Sequence, residues 1–555
     1  MSPNVSKSWK DVAAKKQAEC AAAIPADWII PAAVLKDIPL GPDSGTNVVA
    51  LDIPRRSGIL TDSELAITEK YNATELVAKL AAGELSSEEV TLAFSKRAAI
   101  AQQLVNCLTE MFFDRALERA KFLDAYLKEH KKPIGPLHGL PISLKESFNL
   151  EGIKTTIGYI SYADNPPLTY NSALVDMLLD LGAVLYVKTN IPQAFMSADT
   201  HNNLFGRTLN PNNLSLGAGG STGGEGALIA LRGSVLGVGT DLGGSIRMPS
   251  LACGIIGFKP STGRIPYARK CAGVLGGFST VLPCAGPNCT DLVDAEFFMK
   301  TVIDANPYEY DSTAHEVPWR SVKHEAGKKL VIGVQGEDPL FPLQAPVRRA
   351  LSSAVAKLKE AGHTLVDIPY NPDNTVATAN GMMLKYYQAD PDRTQLKNLE
   401  AGGEPIVQSV LNMNCLGTAG DWTELSLAGL AAMNRQRGEM IEAWRRIWVD
   451  KKLDVLLGPG CQSTAVKHDA YSYIPYTTQW NLMDFPAVVF PYMKSSKELD
   501  PEPQTFIAPQ KGPDYIPDDP VLQDGAPCSI QITARRFQDE KCLAAARIIQ
   551  EVLCA

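Results

Sequence analysis

The chain has 555 residues, of which 45% are hydrophobic and 21% are charged, so it can form a globular protein with a large buried core. Its 53 basic and 61 acidic residues give a formal net charge of −8, which argues against a nucleic-acid partner because such partners are bound largely through their phosphates. A small neutral substrate fits this charge better.

The cysteines and the N-terminal residues bear on location. The eleven cysteines are scattered without a CxxC pair or a metal-ligand spacing, and no signal peptide precedes them. The apolar patch at residues 21–35 is interrupted by Pro25, Asp27 and Pro31, well short of the roughly 18 apolar residues that span a membrane. We therefore expect a cytoplasmic protein with reduced thiols, no transmembrane segment and no metal site.

The first part of the chain is predicted to be helical. Helix starts are indicated by a capping hydroxyl three residues before a carboxylate, at Ser8 with Asp11, Thr61 with Glu64, and Ser86 with Glu89. Gly83 is predicted to end the helix that begins at Thr61. Helices at residues 91–104 and 115–128 follow, and Pro133 and Pro136 stop the second of them.

The remainder alternates between short apolar runs and helix-length stretches, which predicts an α/β protein with a largely parallel sheet. The predicted strands are 142–144, 183–187, 235–238, 330–334, 364–368, 455–457, 487–489 and 529–532, and the predicted helices are 172–181, 346–361, 424–449 and 538–552. Residues 495–524, rich in proline and charge, predict a surface excursion. It either borders the substrate entrance or has no role.

The stretch from Gly217 to Pro249 is glycine-rich and contains two glycine-flanked serines, Ser221 and Ser245. A linker could have this glycine content, but a linker lacks the apolar runs at 227–231 and 235–238, which predict a buried helix and a buried strand. Two tight turns remain, each presenting a hydroxyl where glycine lets backbone amides approach a ligand closely. Such turns are typical of an oxyanion hole.

The two serines suggest different nucleophiles. Ser221 lies in a GxSxG pattern, but the nucleophile elbow needs a strand directly before it, and residues 210–217 are typical of a loop. Ser245 does follow an apolar strand, and the four amides of the turn around it are predicted to converge on one point: Leu242, Gly243, Gly244 and Ser245. Ser245 is therefore the better candidate.

Lys145 ends the short apolar run Leu140 to Leu144. A single lysine is usually a solvated surface charge. The apolar residues before Lys145 favour its burial. Burial lowers the pKa of a lysine by disfavouring the ammonium, so that Lys145 can act as a base.

Taken together, the motifs GLPISLK, GGSTGGEGALI and GTDLGGSIRMPS, with GFKP after them, resemble the amidase signature family of serine hydrolases from about Lys79 onward. Within that family the chain resembles fungal general amidases of the acetamidase type and, as a cousin, fatty acid amide hydrolase. The resemblance implies one large α/β domain with a central twisted, mixed, largely parallel sheet covered by helices on both faces. It also implies a helical arm over residues 1–78 and a catalytic domain over residues 79–555.

The resemblance further implies amide hydrolysis without a cofactor by a Ser-Ser-Lys triad: Ser245 as nucleophile, Ser221 as bridging serine after a cis peptide from Gly220, and Lys145 as base. Asp241 and Arg247 are implied to support the loop. The positions implied to contact the substrate are Phe195, Met196, Gly219 and Gly220.

Two residues depart from the usual family pattern. Thr222 stands where a second serine is common, and Glu146 stands where aspartate often follows the lysine. Neither change removes a reacting group. We expect Thr222 to affect packing around Ser221, and Glu146 the orientation of Lys145.

Two alternatives stay open. One is a glutamine amidotransferase subunit, which shares the signature and passes ammonia to a partner. The other is a non-catalytic protein whose glycine loops bind an anion, although no GxxxxGK[ST] motif occurs. The acyl length of the substrate and whether the protein forms a homodimer are also left open.

Overall fold

Thirteen strands run through the residues that the computed structural model describes, which are 8–277, 281–322, 327–371, 375–420, 422–501 and 519–555. They are β1 (Leu108–Met111), β2 (Pro141–Lys145), β3 (Val184–Thr189), β4 (His201–Asn202), β5 (Gly206–Arg207), β6 (Leu236–Asp241), β7 (Ile256–Lys259), β8 (Cys284–Cys289), β9 (Val331–Gln335), β10 (Thr364–Ile368), β11 (Val455–Pro459), β12 (Ala487–Lys494) and β13 (Pro527–Thr533). All eight predicted strands are present.

Eleven of these strands form one mixed sheet within the described part of the chain, in the order β1-β3-β2-β6-β8-β7-β12-β13-β11-β9-β10, while β4 pairs with β5. The pairs β2/β3, β2/β6, β9/β10 and β9/β11 are parallel, and the other neighbours are antiparallel. The centre is more antiparallel than the alternation predicts because β7 and β8 enter there. Strand β8, CAGPNC, escaped the sequence reading because glycine, proline and asparagine are rare in strands.

Eighteen α-helices lie in the described residues. They are α1 (Trp9–Ala22), α2 (Ala32–Leu35), α3 (Ile53–Arg56), α4 (Asp62–Lys70), α5 (Ala73–Ala82), α6 (Ser87–Val105), α7 (Phe113–His130), α8 (Ala173–Asp180), α9 (Gly223–Ala230), α10 (Arg247–Cys253), α11 (Leu292–Asp304), α12 (Ala345–Glu360), α13 (Val376–Tyr387), α14 (Thr394–Ala401), α15 (Gln408–Met413), α16 (Leu427–Asp450), α17 (Pro475–Leu482) and α18 (Asp539–Cys554). The three predicted capping boxes are confirmed at α1, α4 and α6.

The helix predicted from Thr61 to Gly83 is instead two helices. Helix α4 ends at Lys70, and Asn72 begins α5 by accepting the Glu75 amide while the Glu75 carboxylate accepts the Asn72 amide. Asparagine with glutamate three residues later is the same capping pattern that marks the other helices. Gly83 ends α5, with φ +69°.

Strands β2 and β6 bring Lys145 and Asp241 to the same edge of the sheet. They are parallel neighbours, with Leu144 opposite Val238, and both side chains lie in the largest hydrophobic cluster. Strand β2 ends at Lys145 and β6 ends at Asp241, so both residues leave the sheet at the same edge. The two glycine-rich loops meet there, because the Thr222 amide donates to the Ser245 carbonyl at 3.2 Å.

The N-terminal helices pack on this body. Lys16 of α1 forms an ion pair with Glu110 of β1, Nζ to Oε1 2.6 Å. The division after residue 78 stays a prediction, and residue 78 lies inside α5. No single helix in the described ranges is long and apolar enough to cross a membrane, while the bent pair Trp9–Ala22 with Ala26–Leu35 meets that test of length and composition.

The predicted excursion at residues 495–524 connects β12 to β13, which are antiparallel neighbours. At its base the Ser495 amide donates to the Ala526 carbonyl at 2.9 Å and the Gly525 amide donates to the Ser495 carbonyl at 3.0 Å. Residues 502–518 of this segment lie outside the described residues. Its role at the substrate entrance stays a prediction.

Candidate active site

Lys145 is fully buried at the end of β2, and three hydroxyl groups surround its amine. The Nζ atom lies 2.6 Å from Ser221 Oγ, 3.0 Å from Thr222 Oγ1 and 2.9 Å from Thr240 Oγ1. The predicted contact between Lys145 and Ser221 is therefore present in the structure. No carboxylate of the described residues forms an ion pair with this amine.

The environment favours a neutral Lys145. Burial lowers its pKa well below the usual value, and the positive charge of Lys270 lowers the pKa further. Asp241 and Glu225 raise it, to a smaller extent. A lowered pKa increases the neutral fraction of the amine, which is the form that can accept a proton.

Ser221 and Thr222 sit in the loop before α9. The peptide bond between Gly220 and Ser221 is cis, as the family resemblance implies. Thr222 keeps the hydroxyl that the usual serine would provide, and that hydroxyl contacts Lys145 directly. The substitution therefore preserves a polar contact to the base, in addition to its effect on packing.

The loop after β6 is held from inside by a buried ion pair. Asp241 accepts from Arg247 Nε and Nη2, both at 3.1 Å, and from Asn481 Nδ2 at 2.8 Å. Burial alone would raise the pKa of Asp241, but the charge of Arg247 and these hydrogen bonds lower it to about 2. The pair thus carries fixed charges that support the loop.

One of the four predicted oxyanion donors is already occupied. The Gly244 amide donates to Asp241 Oδ1 at 2.8 Å, and the Ile246 amide donates to Asp241 Oδ2 at 3.1 Å. Gly244 therefore closes the loop around Asp241 and cannot also donate to an oxyanion. Its φ of +135° explains why glycine stands here.

The amides of Leu242, Gly243 and Ser245 have no hydrogen-bond acceptor in the described part of the protein. Helix α17 fixes this turn from the other side, since Thr477 Oγ1 and Thr478 Oγ1 donate to the Gly243 carbonyl at 2.8 and 3.0 Å. A rigid turn with unpaired amides fits an oxyanion hole, which depends on preorganised donors.

Ser221 and Ser245 line the same cavity, and Lys145 lies behind Ser221. The cavity wall is mostly apolar and includes Phe195 and Met196, as predicted. Other lining residues are Gly220, Thr240, Leu242, Gly243, Tyr267, Lys270, Val274, Leu275, Val281, Tyr386, Tyr387, Asp390, Gln395, Met413 and Ile474. None of these lining residues is a histidine.

Gly219, which was predicted to contact the substrate, is not among the residues that line the cavity. A Cβ atom at Gly219 would lie 2.5 Å from Pro249 Cα, and its carbonyl accepts from Thr200 Oγ1 at 2.8 Å. Glycine is thus required here for close backbone packing between the two serine loops. Gly220 does line the cavity and packs on Ser197.

The nucleophile-elbow interpretation of Ser221 does not fit the structure. Residues 210–220 form turns and isolated bridges, so no strand directly precedes Ser221. Ser245 instead lies between β6 and α10, in a turn between a strand and a helix. Glycine-rich residues 217–249 are buried secondary structure and are not a linker.

Glu146 points away from Lys145. Its carboxylate accepts from the Thr156 and Ile157 amides at 2.7 and 2.8 Å, and Lys188 lies 3.9 Å away. Burial raises the pKa of Glu146, and Lys188 counteracts part of that rise. Glu146 therefore anchors the loop that follows Lys145 and has no direct contact with the amine.

Two residues near the amine were missed in the sequence. Thr240 is the penultimate residue of β6, and its hydroxyl at the end of a predicted strand could have indicated a contact with the amine. Lys270 lies in a loop between β7 and β8 with no local motif, so only the folded chain reveals it. In the described ranges no group of three or more His, Cys, Asp or Glu residues is arranged to hold a metal ion.

Comparison with known proteins identifies relatives that match almost the whole chain. The family model described as Amidase matches residues 89–543. The chain is 39% identical to an amidase of Gibberella moniliformis over 550 residues, which cover 99% of each chain. It is 40% identical to an acetamidase of Emericella nidulans, covering 99% of this chain and 98% of that protein. A solved fatty acid amide hydrolase matches with a TM-score of 0.90 and 34% identity, over 99% of this chain and 96% of that one.

Proposed function

The chain belongs to the amidase signature family and is an amide-hydrolysing enzyme, and from this premise we propose that it acts through an acyl-enzyme on Ser245 with Ser221 and Lys145 as its proton relay. The observation that carries the proposal is the 2.6 Å contact between buried Lys145 Nζ and Ser221 Oγ, in a cavity that also exposes Ser245. An unactivated serine is a poor nucleophile at neutral pH, so such a relay is needed.

In the first step Ser245 Oγ attacks the amide carbonyl and passes its proton to Ser221, while Ser221 passes its own proton to Lys145. The oxygen of the carbonyl becomes negatively charged as the new C–O bond forms. The amides of Leu242, Gly243 and Ser245 are the groups available to stabilise that charge. This assignment removes Gly244 from the donor set expected from the sequence.

In the second step the protonated relay works in reverse. Ser221 donates a proton to the departing nitrogen and recovers one from Lys145, so the C–N bond breaks and ammonia or an amine leaves. Water then attacks the ester on Ser245 while Ser221 and Lys145 take its proton, and the relay returns that proton to Ser245 Oγ as the C–O bond to Ser245 breaks. The products are a carboxylic acid and the amine, and the relay returns to its starting state.

The apolar wall of the cavity favours substrates whose acyl group has an apolar surface. Phe195 and Met196 form part of its wall, together with tyrosines 386 and 387 and several aliphatic side chains. We propose that Phe195 and Met196 contact the acyl group, since apolar walls bind apolar ligand surface. The alternative is an acetamidase-like preference for small acyl groups. Rates measured with a series of amides of increasing acyl length would distinguish the two preferences.

Two further proposals concern the enzyme's setting. All eleven cysteines lie in the described residues and are free thiols, which supports a cytoplasmic location because free thiols persist in reducing compartments. We also propose that the enzyme acts without a second, different subunit, as a monomer or a homodimer. Co-purification of such a subunit would favour the glutamine amidotransferase interpretation instead.

A covalent probe tests the nucleophile. We expect a fluorophosphonate to label Ser245, and Ser245→Ala to resist labelling and lose amide hydrolysis. Ser353→Ala, a serine of α12 that does not line the cavity, is the matched control and should label like the parent. An adduct located on Ser221 by mass spectrometry would show that the assignment is reversed, and an absence of any adduct or turnover would support a non-catalytic protein.

A further inference from the structure

A second lysine faces the cavity near the proposed base. Lys270 lines the cavity, its ammonium donates to the Cys271 carbonyl at 2.9 Å, and Nζ lies 4.8 Å from the centre of the Tyr267 ring. Within the described ranges it forms no ion pair. Lys270 therefore brings a positive charge to the cavity that no protein carboxylate neutralises directly.

Asp390 lines the same cavity, but its carboxylate binds backbone amides. Asp390 accepts the amides of Asp392 and Thr394 at 2.9 and 3.1 Å, and the Leu275 amide at 3.4 Å. Its oxygens thus organise the backbone of neighbouring loops. No ion pair joins Asp390 to Lys270 in the described residues, and the charges that act on the pKa of Lys270 are those of Cys271 and Glu146.

Lys270 and Lys145 share one aromatic neighbour. Lys270 Nζ lies 5.5 Å from the centre of the Phe195 ring, and Lys145 Nζ lies 5.6 Å from the same centre. The two nitrogens are therefore at most about 11 Å apart, the limit reached if they lie on opposite sides of the ring. Ala194 and Phe195 both have left-handed backbone, φ +56° and +62°, a conformation that is uncommon for such residues and occurs at functional sites.

A positive charge at this distance disfavours a second one. For two unit charges about 11 Å apart at an effective dielectric constant of about 20, the repulsion lowers the pKa of the second amine by about one unit. The pKa of Lys270, which burial lowers to about 8, leaves it mostly charged at neutral pH.

The other charges facing Lys145 oppose this effect only weakly. Asp241 is paired to Arg247 through two hydrogen bonds, which neutralise much of its field. Glu225 is buried, accepts from the hydroxyls of Ser143 and Thr189 and forms no ion pair in the described residues, and burial raises its pKa to about 8, so it is mostly uncharged at neutral pH. Lys270 is the cation whose charge lowers the pKa of Lys145, and it forms no ion pair in the described residues.

We propose that Lys270 is a positioning residue that keeps Lys145 unprotonated by charge repulsion, since both amines lie beside the same Phe195 ring. This inference rests on the proposed function, in which Lys145 must be neutral to accept a proton. Lys270 does not touch the reacting atoms in this role. It sets the pH at which the relay begins to work.

The test is the pH dependence of kcat/KM for a neutral amide. Activity rises with pH as Lys145 loses its proton, so removing the charge of Lys270 raises the pKa of Lys145 and moves this rise to higher pH. For Lys270→Met we expect a move of about one pH unit, and about tenfold lower kcat/KM on the rising limb. Lys270→Arg keeps the charge and should keep the limb in place.

Controls separate this effect from a general loss of structure. Lys121→Met removes one positive charge from an exposed position on α7 and should leave the profile unchanged. Lys270→Gln serves as a second neutral variant if Lys270→Met fails to fold, as judged by its melting temperature. On the alkaline side of the limb, the neutral variants should approach the activity of the Arg variant.

Two results would overturn the inference. One is an unmoved limb in the folded neutral variants, and the other is an equal move in Lys270→Arg. A third measurement uses an amide that bears a carboxylate: a rise in its KM, with the neutral-amide profile unmoved, would make Lys270 a substrate anchor instead. Loss of the proposed function is recognised separately, because then Lys145→Ala retains amide hydrolysis whatever Lys270 does.

Discussion

Replacing Arg247 with methionine tests how the nucleophile loop is held. Methionine keeps much of the apolar volume of the side chain but removes the two hydrogen bonds to Asp241 and those to Gln531 and Asn481. Asp241 then stays buried with a negative charge that has lost its cation. Because Asp241 also binds the amides of Gly244 and Ile246, the turn that presents Ser245 is disturbed as well.

The magnitude follows from the burial of the pair, since both side chains are fully shielded from solvent. Removing one partner of such a pair costs about 3–5 kcal/mol of unfolding free energy, because an uncompensated charge remains buried. The pKa of Asp241 gives an independent check. Its fall from 3.8 to about 2 corresponds to about 2 kcal/mol of stability above pH 4, which is less than the cost of removing Arg247 because the lowered pKa already includes the opposing effect of burial.

The sign of the pH effect distinguishes this mechanism from simple misfolding. In the parent, the lowered pKa of Asp241 stabilises the folded state at pH values above the unfolded pKa of 3.8, and this stabilisation is lost as the pH falls toward 2. The contribution of Asp241 to the free energy of unfolding is therefore constant between pH 5 and 8. Without Arg247, burial raises the pKa of Asp241, and protonation then relieves the variant as pH falls. The difference in stability between parent and variant should therefore be smaller at pH 5 than at pH 8.

Urea denaturation at both pH values measures this difference, together with kcat for a neutral amide. Arg445→Met, which removes an exposed pair with Glu442 on α16, is the control and should change the urea midpoint little. A loss below about 1 kcal/mol, or a difference that does not narrow at pH 5, would refute the reasoning that the buried pair holds the loop.

Two further predictions address the relay. Ser221→Ala should keep the fold and slow acylation by roughly 10²- to 10⁴-fold, measured by rapid-mixing kinetics, and activity within a few-fold of the parent would make Ser221 only a turn residue. Lys145→Ala should reduce amide hydrolysis more than hydrolysis of the matching ester, because a departing amine needs a proton and an alkoxide needs it less; equal losses on the two substrates would exclude Lys145 as the proton carrier.

The sequence predicts the strands of the sheet well where their residues are apolar. It also predicts the loops well where they are rich in glycine. Lys145, Ser221 and Ser245 could be proposed from the sequence because their motifs are local and long. Gly244 and Gly219 show the limit of that reasoning: their motifs look like binding loops, but which way each amide or carbonyl points depends on Asp241 and Thr200. Such orientations are decided by tertiary contacts.

Residues outside motifs are harder to predict for the same reason. Lys270 reaches the cavity from the loop after β7, and Asn481 reaches Asp241 from α17, 240 positions later in the chain. Neither has a local pattern that distinguishes it from a surface side chain. Strand β8 was missed because its composition opposes strand formation, and its neighbours β6 and β7 impose the conformation.

The three hydroxyls around Lys145 can also accommodate a neutral amine. A neutral lysine has two N–H donors and one lone pair, whereas an ammonium has three donors and no acceptor. The Thr222 hydroxyl donates to the Thr240 carbonyl at 3.4 Å, so its oxygen is free to accept from Lys145. If Thr240 Oγ1 accepts the second N–H, the lone pair remains directed at Ser221. In the proposed relay, the threonine that replaces the usual serine therefore helps to orient the lone pair toward the Ser221 hydroxyl, which gives up its proton.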